Sequence, residues 1–295
     1  MIQVEDLGKR FGERWALQSL GFQVARGSFL GVLGRNGAGK TTLVRLLTGQ
    51  LSPDAGLARV AGLEVTRRSL ELRRRMGVMP EAGALLEGLT GLQYLGFVGR
   101  LHGLGLDDLE SRIRELGALL DMDFNTAPIA EYSFGMKKKT ALAASFLHGP
   151  EILFLDEPFE GLDPVTSVAL QGLLSDLHAR GTTIVLTSHQ LGLAERLCDH
   201  FLVVDEGRIL AHGPAPDLLK GDETLEGLFL RLVGRKELTW CPGSARTPHS
   251  ITTLTVNAPS RGAQKGNQDP EIEAQKRTAV RIFAEKIRAL ITQRS

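Results

Sequence analysis

The sequence predicts an α/β fold with a parallel sheet at its centre, on three observations. Ile152–Leu155 and Thr183–Leu186 are compact apolar runs of the kind found in strands buried on both faces. Phe29–Leu33 is a third such run, and it leads directly into a Gly-rich turn with a helical stretch, Thr42–Leu47, behind it. Short strand-type and helical segments then alternate through residue 234, the pattern of stacked strand–helix units.

The composition agrees. The chain has 295 residues, of which 42% are hydrophobic and 23% charged, which is ordinary for a folded protein and excludes a disordered, collagen-like or disulfide-scaffold chain. Cys198 and Cys241 form no metal-spacing motif and read as free thiols in a reducing compartment. The longest apolar runs, such as Phe201–Val204, fall far short of the ~20 residues of a membrane span. The N-terminal segment lacks the basic region and apolar stretch of a secretory signal. A role at a membrane therefore needs another chain to cross it. The net charge of +1 hides an asymmetry, because residues 235–295 hold 11 Lys and Arg against 5 Asp and Glu. The body is mildly acidic, which argues against a nucleic-acid clamp.

In chain order, Gly77–Met79 reads as a further short strand, and the Leu-rich segment 91–120 as helices. Phe201–Val204 and Arg208–Leu210 read as a hairpin turning at Glu206–Gly207. The composition shifts after Gly234. Residues 235–270, with their Pro, Gly, Ser, Thr and Asn, read as a linker or disordered segment between a body at 1–234 and a tail at 271–295. In that tail Ala279, Phe283, Ile287 and Leu290 fall on one helical face, flanked by basic residues. Such a helix packs back on the body, frays in solution, or docks on a partner or membrane surface.

Gly34-Arg35-Asn36-Gly37-Ala38-Gly39-Lys40-Thr41 matches the phosphate-binding pattern G-x-x-x-x-G-K-[ST], in the required strand–loop–helix setting. The glycines let successive N–H groups point at phosphate oxygens, and the helix N-terminus adds positive charge. Lys40 is then expected to reach the β- and γ-phosphates, the Thr41 hydroxyl to ligate Mg²⁺, and Thr42 to add a phosphate contact. About 115 residues on, the run Ile152–Leu155 ends in Asp156-Glu157. Asp156 is expected to hold Mg²⁺ directly or through water, and Glu157 to orient the attacking water, since positioning and charge stabilisation dominate phosphoryl transfer. His189, behind the run Thr183–Leu186, is placed to reach the γ-phosphate.

Between these motifs lies Tyr132-Ser133-Phe134-Gly135-Met136, followed by three lysines and an Ala-rich helical run. This segment is similar to the LSGGQ signature of the ATP-binding subunits of ABC transporters. Gly161-Leu162-Asp163-Pro164 resembles their D-loop, His189 their switch histidine, and Phe11 the aromatic residue that stacks on adenine. The resemblance covers residues 1 to about 234. It implies a P-loop NTPase fold: a RecA-like core, a small antiparallel sheet and a helical subdomain carrying the signature. It also implies a head-to-tail dimer with a second copy or a homologous ATPase subunit. Each ATP and its Mg²⁺ then lie between Lys40 of one copy and Ser133 and Gly135 of the other, with Asp163 at the interface.

Three positions depart from the family pattern. Glu81 stands where the Q-loop glutamine is usual and still offers an oxygen to Mg²⁺. Phe134 replaces the first signature glycine, and its side chain either crowds the γ-phosphate or leans away from it. Met136 replaces the usual glutamine. The S-x-G-M variant, with the Leu-Thr entry into the helix at Thr90, resembles the subfamily that exports drugs, antibiotics, peptides and other hydrophobic molecules. Thr90 also suits a plain helix N-cap, and the two roles are compatible. The expected setting is cytoplasmic, on the inner membrane face, held there by a separate transmembrane permease, with no nucleic-acid partner. The competing readings are a soluble ATPase of the same superfamily acting in DNA repair or translation, and a P-loop kinase or GTPase. The first lacks its usual second cassette or coiled-coil insertion here, and the signature-like segment argues against the second.

Overall fold

The computed structural model describes residues 1–66, 69–125 and 127–234. Strands β1 (Ile2–Phe11) and β2 (Arg14–Val24) pair as an antiparallel hairpin. Strand β3 (Phe29–Leu33) runs through the Gly-rich turn into helix α1 (Lys40–Leu47). Strands β4 (Ala55–Val60) and β5 (Leu63–Glu64) complete a four-stranded antiparallel sheet in the order β2-β1-β4-β5. Helix α2 (Leu70–Arg75) and strand β6 (Met76–Val78) precede three helices, α3 (Gly91–Leu101), α4 (Leu106–Leu120) and α5 (Phe134–Phe146). The chain then alternates through β7 (Ile152–Asp156), α6 (Pro164–Ala179), β8 (Thr183–Ser188) and α7 (Leu191–Leu197). The expected hairpin follows as β9 (His200–Asp205) and β10 (Arg208–Pro214), before the short helices α8 (Ala215–Leu218) and α9 (Leu225–Val233).

The second sheet has the order β10-β9-β3-β8-β7-β6, parallel throughout except for the edge strand β10. Its strands read as unbroken apolar runs because both faces are covered. Leu30, Val32, Ile152, Phe154, Val185, Leu202 and Val204 pack on one side with α1 and the antiparallel sheet. Phe29, Leu33, Leu153, Leu155, Ile184, Leu186, Phe201 and Val203 pack on the other side with α5, α6 and α7. The strict alternation follows from the two-residue period of a strand. Because β3, β7 and β8 are parallel neighbours, the loops leaving their C-terminal ends meet at one edge of the sheet, where α/β folds place ligands.

The helical segment 91–146 is pinned by its caps. Thr90 accepts from Gln93 N at 3.2 Å while Gln93 Oε1 accepts from Thr90 N at 2.9 Å, a full capping box. The buried Tyr132 hydroxyl accepts from Gly91 N at 3.2 Å and donates to Phe124 O at 3.1 Å, tying the start of α5 to that of α3. Cys198 is a buried free thiol. The expected linker at 235–270, the tail helix at 271–295 and Cys241 lie outside the described residues. Among the described residues no helix is long and apolar enough to cross a membrane.

Candidate active site

The loop Gly34–Gly39 leaves β3 and wraps the start of α1. Lys40 is buried, and its ammonium donates to the carbonyls of Gly34 at 2.8 Å and Arg35 at 3.2 Å, closing the loop into a ring. Arg35, Asn36 and Gly37 form the exposed rim, while Ala38 is buried and donates its N–H to Arg35 O at 3.1 Å. Thr41 and Thr42 open α1, where backbone N–H groups have no helical acceptor and a partial positive charge collects. The antiparallel sheet leans on this loop. Leu17 and Ala16 O crowd Gly39, and Phe11 lies at the end of the same hairpin, about half exposed with the Lys9 ammonium 5.7 Å from its ring centre.

Across the edge, Asp156 ends β7. The Thr41 hydroxyl donates to Asp156 Oδ2 at 2.8 Å, and the Thr187 hydroxyl donates to Asp156 Oδ1. Thr187 also accepts from the Glu157 N–H at 3.0 Å, so one threonine fixes both acidic residues. Glu157 sits at φ 46°, left-handed backbone that costs a non-glycine residue about 1–2 kcal/mol. Its carboxylate Oε2 accepts from His189 Nδ1 at 2.9 Å and from His189 N at 3.3 Å. The site residues read from three separate strands are thus brought together. His189 rests on the carboxylate of Glu157 here.

Glu81 lines a cavity of about 370 Å³ with Thr41 and Asp156, as a third oxygen-bearing group beside them. Its Oε1 is paired with the Arg45 guanidinium on α1. The Thr41 and Asp156 oxygens suit a hard divalent cation, which takes one or two protein oxygens and completes its shell with phosphate and water.

The signature-like segment is a helix start. Ser133 caps α5, its hydroxyl accepting from Met136 N at 3.2 Å. Gly135 abuts Gly161 O, where an added Cβ would stand 3.1 Å away. Phe134 is an exposed residue whose ring leans onto Gly161 of the D-loop-like turn. Asp163 caps α6, accepting from Thr166 N at 2.8 Å and the Thr166 hydroxyl at 2.6 Å, and pairs with Lys139 at 3.1 Å. Partial burial pushes the Asp163 carboxyl up, but the Thr166 and Lys139 donors outweigh it and hold the group well below the usual carboxylate range. Thr187, Arg45 and Lys139 escape sequence reading. Thr187 gives a faint signal as a polar residue closing an apolar strand, and the other two give none.

Comparisons with known proteins identify the family and the fold. Residues 17–160 match the ABC transporter family. A daunorubicin resistance ATP-binding protein of Streptomyces coeruleorubidus is 44% identical over 218 residues, covering 74% of this chain and 69% of that protein. A Nod factor export ATP-binding protein of Ralstonia nicotianae is 37% identical over 220 residues, covering 74% and 68%. Among solved structures, an ATP-binding subunit of an ABC transporter is similar with a TM-score of 0.73 at 31% identity, over 79% of this chain and 99% of that one. A dimeric bacterial ABC transporter cassette shares the fold, with a TM-score of 0.66 at 20% identity over 72% and 98%. The chain belongs to the ABC transporter family, as an ATP-binding subunit.

Proposed function

We propose that this chain powers export through a separate membrane-spanning permease, working as one half of a head-to-tail ATPase pair on the cytoplasmic face of the membrane. The observation that carries the reading is the Thr41–Asp156 hydrogen bond of 2.8 Å. It joins the phosphate loop to the acidic strand end and leaves Glu157 beside both. The export direction draws on relatives named for daunorubicin resistance and Nod factor export.

Lys40 exchanges its loop carbonyls for the β- and γ-phosphates of ATP, and the loop N–H groups of Gly37 to Thr41 hold the phosphate oxygens. Thr42 adds a hydroxyl to the same phosphates, and Phe11 offers its exposed ring to the adenine. Thr41 and Asp156, with Glu81 adjoining, are the residues that would hold Mg²⁺, which neutralises phosphate charge when bound. Glu157 Oε2 orients a water and takes its proton, while His189 keeps that carboxylate in position. Ser133 and Gly135 present the α5 N-terminus to the γ-phosphate held by the other protomer, with Asp163 beside them. Only the triphosphate bridges both protomers, so ATP closes the pair and hydrolysis releases it.

Exchange of Glu157 for Gln tests this. The variant is expected to bind ATP with Mg²⁺ as the parent does, to lose turnover by about 10²-fold or more, and to sediment as a dimer with ATP. Parent-like turnover, or a monomer at saturating ATP with the permease supplied, would overturn the reading.

A further inference from the structure

Strand β8 is buried along its whole length, and Thr187 near its end is fully covered. Side chains two apart on a strand share a face, so Thr187 continues the row of Thr183 and Val185. On the neighbouring strand Asp156 continues the row of Ile152 and Phe154, and the parallel register sets Asp156 opposite Thr187. Val185 and Phe154 belong to the core on the α1 side. The Asp156–Thr187 pair is therefore the polar end of an apolar row, on the side from which Thr41 of α1 donates to Asp156.

A hydroxyl in such a place costs free energy unless its proton and lone pairs are used, and valine, of the same shape, would continue the row without that cost. Both are used here. The proton goes to Asp156 Oδ1, and a lone pair accepts the Glu157 N–H at 3.0 Å. The same N–H lies 3.3 Å from the Thr187 carbonyl, so residue 187 grips it twice. This is the peptide that swings the chain out of β7 into the left-handed turn at Glu157, with φ 46°. That turn brings the Glu157 carboxylate to His189, two residues beyond Thr187. Backbone of this kind persists only where its surroundings over-determine it. The bonds also run one way, from the Glu157 N–H to the Thr187 hydroxyl and on to Asp156, so each polarises the next.

We propose that Thr187 is a positioning residue of the hydrolytic centre: its single buried hydroxyl couples the carboxylate that would hold the cation, Asp156, to the backbone of the residue that orients the water, Glu157. This rests on the proposed ATP hydrolysis at Glu157. Two consequences separate it from a packing role. Without the hydroxyl, Asp156 is left with the Thr41 donor, its oxygens lose their fixed direction, and cation binding weakens. The Glu157 N–H is left with the Thr187 carbonyl, so the carboxylate loses its position and turnover falls. ATP affinity, set at the phosphate loop, stays.

The test compares the full chain with Thr187→Val, which keeps the shape and drops the hydroxyl, and Thr187→Ser, which keeps the hydroxyl and drops the methyl. ATP turnover at saturating Mg²⁺ gives kcat and KM. A titration with Mn²⁺ in the presence of a non-hydrolysable ATP analogue, followed by electron paramagnetic resonance, gives the cation half-saturation. In Thr187→Val, kcat is expected to fall about tenfold with KM within about twofold, and the Mn²⁺ half-saturation to rise about tenfold. Thr187→Ser is expected to hold both quantities within about threefold of the parent. A role in packing alone would reverse the order of the two variants. A Thr187→Val chain that melts like the parent and keeps either kcat or the Mn²⁺ half-saturation within about twofold overturns the proposal, as does a Thr187→Ser chain no better than Thr187→Val. If Thr187→Val melts early, Thr187→Ala is read by the same criterion. A parent chain that hydrolyses no ATP counts against the proposed function, and the Mn²⁺ titration, which needs no turnover, still decides the role of Thr187.

Discussion

Glu157 and His189 are joined twice: the carboxylate Oε2 accepts from the imidazole Nδ1 at 2.9 Å and from the backbone N–H of the same histidine at 3.3 Å. The two residues directly follow neighbouring parallel strands, β7 and β8, so their relative position is set by the sheet. The histidine side chain is half exposed and the glutamate largely covered.

Replacing His189 with Ala removes the side-chain contact and keeps the backbone one. Glu157 then loses part of its orientation, while the phosphate loop is untouched. The expected result is a fall in kcat of about 10²-fold with little change in equilibrium ATP binding. Steady-state turnover alongside a fluorescent-nucleotide titration checks both halves, and a matching loss of binding would remove His189 from the positioning of Glu157.

The part of the site borne by strands was legible in the sequence for a physical reason. Buried parallel strands must be continuous apolar runs, so the residues that break them, Gly34, Asp156 and His189, stand out. Parallel pairing then brings those ends together. The hairpin at Glu206–Gly207 and the cap at Thr90 were legible because turn and cap chemistry is local. Strands β1 and β2 were visible only through the family resemblance, because their bulged, half-exposed pattern breaks the two-residue alternation. Arg45–Glu81 was not legible at all, since the partners lie 36 residues apart and meet only through the path of a loop. The lean of Phe134 onto Gly161 likewise depends on how α5 packs against the turn before α6.

Gly39 and Gly37 give a graded test of the phosphate loop. Gly39 has φ 108°, and an added Cβ would stand 2.6 Å from Leu17 Cδ2 and 2.8 Å from Ala16 O. Gly37 has φ 79° but open space around it. Gly39→Ala therefore meets both backbone strain and a clash, and is expected to cost about 2–4 kcal/mol of stability. Gly37→Ala meets strain alone and is expected to cost about 1–2 kcal/mol. Urea unfolding curves resolve the two, and equal destabilisation would contradict the packing of the hairpin on the loop.

Glu81 and Arg45 are both substantially exposed, so their ion pair adds little to stability. Either Glu81→Gln or Arg45→Ala is expected to change unfolding free energy by less than about 0.5 kcal/mol. Their effects on Mg²⁺ should be opposite. Removing the Glu81 charge from the cavity it shares with Thr41 and Asp156 raises the Mg²⁺ needed for half-maximal turnover by about threefold, whereas removing Arg45 frees that charge and lowers it. Shifts in the same direction would show that Glu81 does not act on the cation.

Asp163 ties acid stability to the D-loop-like turn. Its carboxylate accepts two hydrogen bonds from Thr166 and pairs with Lys139, and these hold its folded-state value well below the ordinary one near 4. A carboxyl depressed in the folded state contributes stability that is present above its unfolded value and is lost as the pH falls through the folded value. Between pH 5 and 8 the contribution is therefore constant, and it declines only below about pH 4. Asp163→Asn keeps a capping side chain but drops the charge, so the parent should be more stable than the variant by up to about 1 kcal/mol at neutral pH, with the gap closing in acid. Urea unfolding of both chains at pH 7, 5 and 3.5 measures this. A gap that widens in acid would mean that the Lys139 pair does not hold the carboxylate in the folded chain.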